Sequence, residues 1–435
     1  MPSYYLWTVG CQMNVADSER LAAALDQLGY VASSRPDGCD LIILNTCSVR
    51  RAAEEKAINQ LHLLKGLKRN RPEVTLALLG CMVPKDSSAL QRQFPFVDLF
   101  CRPQQFEPLL EVARRKVGSG EGCLEPGRLP PPNPKGPTAF VPISHGCNKV
   151  CSFCIIPYRR GREVSRPLAE VVEEVRGLVA RGVVEVTLLG QNVDSYGSDL
   201  PDRPDLADLL EALNAIAGLA RIRFLTSHPR DMSDRLIAAV ARLPKVCEHI
   251  NLPVQSGDDA ILRSMRRGYT AAEYRELVAK IRAQVPGVSL ATDIIVGYPG
   301  ESERAFQNTY DLLEELAIDV VHVAAYSPRP GTLAARLPDD VPPAVKKARL
   351  HAIEALQARV SAAFNARYLG QTVEVLVEQK VKGRWSGRTR TNKLVFWEQE
   401  GDLLGQLVPV RIARTGAWSL QGPLVPRLEL LPTTA

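Results

Sequence analysis

The segment Ser144–Pro167 reads SHGCNKVCSFCIIPYRRGREVSRP and carries Cys147, Cys151 and Cys154 in a C-x3-C-x2-C spacing. Three thiolates on one short loop can face a single inorganic group. A [4Fe–4S] cube has four irons, so three cysteines leave one iron open to another ligand. The residues Ala139–Ser144 just upstream have the pattern of a strand. That places the loop at a strand's carboxyl end, where barrels of βα units keep their chemistry. The competing reading is structural zinc with His145 as fourth ligand, since structural zinc closes its shell with four protein groups.

Working outward, strand patterns recur at Val184–Gln191, Arg221–Ser227, Ile250–Val254, Leu290–Val296 and Val320–Ala325, separated by helical stretches such as Pro167–Arg181 and Glu303–Leu316. With Ala139–Ser144 these make six βα units, which predict a partial TIM-type (βα)6 barrel. Upstream, Tyr4–Gly10, Asp40–Thr46, Val74–Gly80 and Val97–Cys101 read as strands; Asp17–Leu28, Arg50–Lys68 and Phe106–Lys116 read as helices. This alternation predicts an open parallel α/β domain over residues 1–117. The Gly/Pro-rich residues 118–137 read as a linker, residues 138–367 as the barrel with its trailing helix Pro343–Tyr368, and residues 368–435 as a small all-β barrel. The fold class is α/β throughout the first two domains.

A second set of cysteines follows strands in the first domain. Cys11 comes after YYLWTVG, Cys47 after DLIILNT and Cys81 after VTLALLG. Parallel strands put their carboxyl ends on one edge, so these thiolates can converge although far apart in sequence. Gly10 and Gly80 leave room for a bulky group beside two of them. The bland alternative is three separate buried cysteines, a common fate of this residue. Cys39, Cys101, Cys123 and Cys247 are read that way, with Cys101 the ambiguous one at a strand end.

Composition sets outer bounds. The chain has 435 residues, 45% hydrophobic, ten cysteines and a net charge of +6. The length suits two or three domains. No apolar run is long enough to span a membrane, and the start MPSYYLWTVGC lacks the pattern of a secretory signal. A cytoplasmic protein is therefore expected, where clustered cysteines point to metals rather than disulfides.

The C-x3-C-x2-C loop resembles the signature of the radical S-adenosylmethionine (SAM) superfamily. The wider set of motifs resembles the methylthiotransferases, and the resemblance spans nearly the whole chain. The motifs are GCQMN (10–14), NTCSVR (45–50), GCM (80–82), GCNKVCSFC (146–154), IPYRRGREVSRP (156–167), LLGQNVDSYG (188–197), TSHP (226–229), LPVQSG (252–257) and GRTRTNKLV (387–395). LLGQN and the GRT segment are most similar to the tRNA branch, MiaB, whose members convert N6-isopentenyladenosine beside the anticodon, at position 37, to its 2-methylthio derivative. The resemblance implies an enzyme with two [4Fe–4S] clusters and SAM as cofactors. Cys147, Cys151 and Cys154 would hold the cluster that binds and cleaves SAM; Cys11, Cys47 and Cys81 would hold the one that delivers sulfur. One SAM supplies the methyl group, and a second supplies a radical that takes hydrogen from adenine C2. Strand-end residues Gly190, Gln191, Gln255, Asp293 and Gly297 stand where the superfamily places SAM contacts. The C-terminal barrel corresponds to an RNA-binding TRAM domain. Expected partners are tRNA carrying isopentenyladenosine and a one-electron donor such as flavodoxin or ferredoxin, with no membrane and a monomeric enzyme.

Residues 370–435 hold nine Lys or Arg against six Asp or Glu, and three of the four tryptophans: Trp385, Trp397 and Trp418. Cations for phosphate and rings for bases are the usual parts of RNA binding, which nominates Arg384, Trp385, Arg388, Arg390 and Lys393. A solvated charged face over a small tryptophan core would look the same. Arg159, Arg160, Arg162 and Arg166 form a second basic set, free to steer phosphate or to pair with carboxylates. His228 and Tyr158 receive no catalytic role. Two alternatives remain at this level: a sister methylthiotransferase acting on threonylcarbamoyladenosine in tRNA or on a ribosomal-protein aspartate, and a noncatalytic RNA-binding protein with structural zinc.

Overall fold

The structure is a computed structural model that describes residues 1–49, 51–117 and 129–426. Its N-terminal sheet has five parallel strands in the order Val31–Ala32, Ser3–Thr8, Leu41–Thr46, Thr75–Gly80, Leu99–Cys101. The two strands Leu41–Thr46 and Thr75–Gly80 are buried at every position, as expected of parallel strands covered on both faces. Their alternate side chains feed two cores. Leu41, Ile43, Ala77 and Leu79 meet Leu21, Leu25 and Leu109 on one face. Ile42, Leu44, Leu76 and Leu78 meet Ala57, Leu61 and Leu64 on the other.

The first helix, Gln12–Gln27, starts at Gln12 rather than at Asp17. Its polar first turns hide the periodicity because Asn14, Asp17 and Ser18 are buried by partners distant in sequence. Met13 and Ala16 of that turn pack on Leu189, with Phe140 and Leu225 beside it. The helix thereby seats the N-terminal sheet on the barrel.

The barrel strands are Thr138–Pro142, Glu185–Leu189, Arg221–Phe224, His249–Asn251, Ser289–Val296 and Val320–Ala325. They pair in parallel as two groups of three, joined by a bridge between Ile222 and Val246. The result is the open six-stranded arc that six βα units imply. A two-residue ribbon unforeseen in the sequence, Ser144–His145 against Val164–Ser165, closes the base of the Cys147–Cys154 loop. Gly146 at its rim has φ +71°, and a Cβ there would lie 2.0 Å from the Arg162 carbonyl oxygen. The loop closes only because that residue is glycine.

Residues 129–137 carry no helix or strand; residues 118–128 of the expected linker, with Cys123, lie outside the described residues. The helix Pro343–Ala366 leads into a curled sheet of six strands with a core of Val375, Val377, Trp385, Val395, Trp397 and Val410. This module docks on the amino ends of the barrel strands. Arg221 and Arg223 donate to the carbonyls of Arg388, Thr389 and Arg390. Arg390 in turn grips Glu248 at 2.7 Å, and Lys393 pairs with Asp319 at 3.2 Å. Among the described residues no helix is long and apolar enough to cross a membrane.

Candidate active site

All three N-terminal thiols stand at strand ends on one edge of the sheet. Cys11 caps the amino end of the helix Gln12–Gln27 and is exposed; its thiol donates to Asn14 Oδ1 at 3.2 Å. Cys47 and Cys81 are buried. Cys81 N–H donates to the Thr46 carbonyl at 2.9 Å, and Ser48 Oγ donates to the Cys81 carbonyl at 2.9 Å. The side chain of Asn14 donates to Asn45 Oδ1 and to the Thr46 carbonyl, both at 3.0 Å. It thus pins the Cys11 helix to the strand that leads into Cys47. A Cβ on Gly10 would meet Cys47 Cβ at 2.7 Å, and one on Gly80 would meet the Thr46 oxygen at 2.3 Å. Both glycines are needed for the three chain segments to come this close.

The barrel tripod lies on its loop at the carboxyl end of Thr138–Pro142. The Lys149 N–H donates to Cys147 Sγ at 3.4 Å. Lys149 Nζ pairs with Asp231 at 2.7 Å, which also accepts from Asn192 Nδ2 at 2.6 Å. The cysteine loop is therefore tied to the loops after the second and third strands. Arg267 Nη1 donates to Cys151 Sγ at 3.3 Å. Cys154 is followed directly by the short helix Ile156–Arg160, and Arg160 reaches out of the barrel to pair with Asp17 at 2.8 Å. The Cys81 and Cys11 thiols lie close enough to Arg160 to interact with it electrostatically. One short helix thus runs from one tripod to the other.

Burial pushes the Cys81 thiol up to about 11 and the Cys154 thiol up to about 12. Such thiols stay protonated at neutral pH unless a strong Lewis acid replaces the proton, which ligation to iron does. The donor set fits the group the motifs imply: three sulfurs per site, no fourth protein ligand among the described residues, and buried guanidiniums to balance thiolate charge. Among the described residues no three His, Cys, Asp or Glu side chains crowd around a single-ion site. Three thiolates holding corners of a cube need not crowd so, whereas the four ligands of one tetrahedral zinc must.

Other residues nominated from sequence are placed as follows. Gly190 and Gln191 end the second barrel strand, where a Cβ on Gly190 would lie 2.7 Å from Ser144 Oγ. Gln255 and Asp293 are neighbours: Gln255 N–H donates to the Asp293 carbonyl at 2.9 Å, and the Asp293 carboxylate accepts from Asn251 at 3.4 Å. Gly297 ends the fifth strand, where its N–H is taken by Glu301 at 2.6 Å and the Lys346 stem fills the place of a Cβ.

In the C-terminal module the nominated set divides. Arg384 is exposed. Arg388 is half-buried and donates to Asn392. Trp385 is buried, its indole N–H donating to the Gln399 carbonyl at 3.1 Å. Trp385, Arg390 and Lys393 are thus committed to the module's core or to the barrel, correcting their assignment to an RNA-facing surface; the bland alternative holds for them. Among the described residues, the module's exposed positions include Lys380, Lys382, Arg384, Arg411, Arg414 and Trp418. In the other basic set, Arg160 pairs with Asp17 and Arg166 with Glu174, so both serve carboxylates. Cys39, Cys101 and Cys247 are buried. His228 is buried against Tyr269 and its imidazole is pushed down to about 3, mainly by desolvation. Sequence reasoning missed Asn14, Lys149, Asp231 and Arg267. Asn14 and Lys149 sit inside quoted motifs and could have been singled out; Arg267 and Asp231 lie outside all of them.

Three segments match known families: residues 141–313 the radical SAM superfamily, residues 3–102 uncharacterized protein family UPF0004, and residues 366–425 the TRAM domain. The fold is also similar to that of a radical S-adenosylmethionine methyltransferase, TsrM, from Kitasatospora setae, at TM-score 0.56 and 14% identity over 77% of this chain and 74% of that one. Fold and matched segments together define a radical SAM enzyme, and SAM and [4Fe–4S] clusters are its cofactors. The chain is 53% identical to a tRNA-2-methylthio-N(6)-dimethylallyladenosine synthase of Chloroflexus aurantiacus over 98% of its length and 92% of the relative's. It is 51% identical to the protein of that name in Dehalococcoides mccartyi strain CBDB1, over 99% of its length and 100% of the relative's. The chain belongs to the family of tRNA-2-methylthio-N(6)-dimethylallyladenosine synthases.

Proposed function

We propose that this protein is a tRNA methylthiotransferase that replaces C2–H of N6-isopentenyladenosine at position 37 by a methylthio group. In this reading Cys147, Cys151 and Cys154 hold the SAM-cleaving cluster, and Cys11, Cys47 and Cys81 hold the sulfur-delivering one. The observation that carries the assignment is the Arg160 bridge. It starts from the loop of one tripod and ends beside the thiols of the other, so both serve one reaction space.

Bound at these sites, the clusters and SAM supply an electron, a radical able to take hydrogen from an unactivated C–H, a methyl group and sulfur. The chain's own groups hold and shield them. Cys11 stands at the amino end of the helix Gln12–Gln27, so the helix fixes where its sulfur sits at the sheet edge. Burial of Cys47 and Cys81 keeps water from two of the three N-terminal sulfur ligands. Lys149, Asp231 and Asn192 lock the cysteine loop to its neighbours, and Gln255 with Asp293 offers polar groups at the same barrel mouth. An adenine C2–H is too weak an acid for ordinary side-chain bases, which is why no His or carboxylate is needed as proton acceptor there.

Residues 1–117 act as the sulfur-delivery domain, 138–367 as the SAM-cleaving core and 368–435 as the RNA-binding module, with 118–137 as linker. Exposed Lys380, Lys382, Arg384 and Trp418 face the tRNA backbone and bases. The enzyme works in the cytoplasm as a monomer, reduced by a flavodoxin- or ferredoxin-type donor. The test is nucleoside analysis of tRNA incubated with anaerobically reconstituted protein, SAM and reductant. The 2-methylthio derivative of isopentenyladenosine is expected. Methylthiolated threonylcarbamoyladenosine, or an unmodified tRNA with a modified ribosomal protein, would overturn the reading in favour of a sister enzyme.

A further inference from the structure

Two buried arginines stand beside the tripods, one to each, and neither the reaction nor RNA binding accounts for them. Arg267 is 6% exposed. Its Nη1 donates to Cys151 Sγ, its Nη2 to the Pro253 carbonyl at 2.8 Å, and its Nε to Tyr269 Oη at 2.8 Å. The Tyr269 ring lies 5.4 Å from the guanidinium carbon, and Tyr269 Oη donates onward to the Val254 carbonyl at 2.9 Å. The guanidinium is fixed on every side, yet among the described residues it pairs with no carboxylate. A buried cation needs a counter-charge, and the group it reaches that would carry one on ligating iron is Cys151 Sγ.

Arg160 is 5% exposed. Its Nη2 is spent on Asp17, while its buried Nε and Nη1 meet no acceptor of good geometry among the described residues. The Cys81 sulfur is close by. Here the cation beside the thiolates already carries a carboxylate partner.

We infer that Arg160 and Arg267 are positioning residues that set the reduction potentials of the two clusters separately, the uncompensated Arg267 raising that of the barrel cluster and the Asp17-compensated Arg160 raising that of the N-terminal one less. The inference rests on the cysteine assignments proposed above. Its physics is that reduction adds negative charge, which a nearby cation or a hydrogen bond to a ligand sulfur stabilises. The compensation by Asp17 makes a further demand: removing Arg160 and removing Asp17 must move the same cluster in opposite directions.

The experiment is an EPR-monitored redox titration of full-length, reconstituted protein. Cys151→Ala isolates the N-terminal cluster and Cys47→Ala isolates the barrel cluster. In the first background, Arg160→Gln is expected to shift the midpoint negative and Asp17→Asn to shift it positive, with Arg160→Lys restoring most of the loss. In the second, Arg267→Gln is expected to give the larger negative shift, only part of which Arg267→Lys recovers because lysine lacks the fork. Should a glutamine variant fail to load iron, the lysine variants and Asp17→Asn decide. Unchanged midpoints at full iron content would reduce both arginines to packing and overturn the inference. So would Arg160 and Asp17 variants moving the same way. Failure of the cysteine backgrounds to hold one cluster each would instead overturn the assignment of the tripods.

Discussion

At the scale of single residues, the two tripods differ in how their thiols are supplied. Cys147, Cys151 and Cys154 share one loop, so losing one leaves two thiolates, too few to hold a cube open at a single iron. Cys151→Ala is expected to abolish both deoxyadenosine formation from SAM and tRNA modification. Cys47 belongs to a set gathered from three strand ends in another domain. Cys47→Ala is expected to retain reductive SAM cleavage, lose the methylthiolated product, and bind about half the parent's iron, counting four per cube. Deoxyadenosine assay, nucleoside analysis and iron determination on protein of native circular dichroism check this. Asp194 offers a pH-dependent case. It accepts from Ser227 Oγ at 2.8 Å and from the His228 N–H at 2.9 Å, yet burial dominates and pushes its carboxyl up to about 7. A carboxyl raised on folding contributes stability that is present below the ordinary carboxylate range near 4 and lost as pH rises through about 7. Asp194→Asn is expected to remove that decline. Between about pH 4 and 7 the variant gains on the parent by on the order of 4 kcal/mol, read from denaturant midpoints of the metal-free proteins.

At the scale of elements, the cysteine loop is a strand end closed by a two-residue ribbon, and Gly146 is where that closure is tightest. Gly146→Ala meets both a left-handed backbone, costing roughly 1–2 kcal/mol, and a carbonyl oxygen where its methyl group would go. The ribbon is expected to open, and iron content to fall by about half, while the N-terminal cluster persists. Retention of full iron would show that the ribbon does not set the loop. The helix Gln12–Gln27 teaches the complementary lesson. Its start was obscured in the sequence by Asn14, Asp17 and Ser18, polar residues that a helix normally keeps in water. They are buried because Asn45, Thr46 and Arg160 satisfy them, and local periodicity carries no record of partners so far along the chain.

At the scale of the whole molecule, the cysteine loops and the TRAM module occupy opposite ends of the barrel strands. Cys147–Cys154 follows the carboxyl end of a strand, while Arg221, Glu248 and Asp319, which hold the module, stand at amino ends. A tRNA that reaches the cysteines and the module together must span the barrel's side. Replacing Lys380, Lys382 and Arg384 by alanine is expected to weaken binding of full-length tRNA. Its salt dependence should flatten by roughly 0.7–0.9 in log–log slope for each phosphate no longer neutralised. SAM cleavage without tRNA should be unchanged. Deleting the module outright is a poorer experiment. It strips Arg221 and Arg223 of their carbonyl partners and Asp319 of Lys393, leaving buried charges that destabilise the barrel. An unchanged tRNA affinity in the triple variant would remove this face from the RNA interface.

The strands before Cys11, Cys47, Cys81 and Cys147 were legible in the sequence because buried parallel strands are short, apolar and ended by glycine or turn residues. Strand direction alone then put the cysteines of each set on one edge. The six βα units and the closing β module were equally readable, since hydrophobic period and turn chemistry are local properties. Tertiary structure alone decided which cations serve which charges. Arg390, Lys393 and Trp385 sit in the same stretch as Arg384, yet those three are held against partners while Arg384 stays exposed. A strand shows alternate faces, but what covers each face is set by packing from elsewhere in the chain. The same holds for Arg160 and Arg267, whose partners at Asp17 and Cys151 lie more than a hundred residues away. Charge and spacing along the sequence could name these residues as basic; only the fold could bring each beside a thiol.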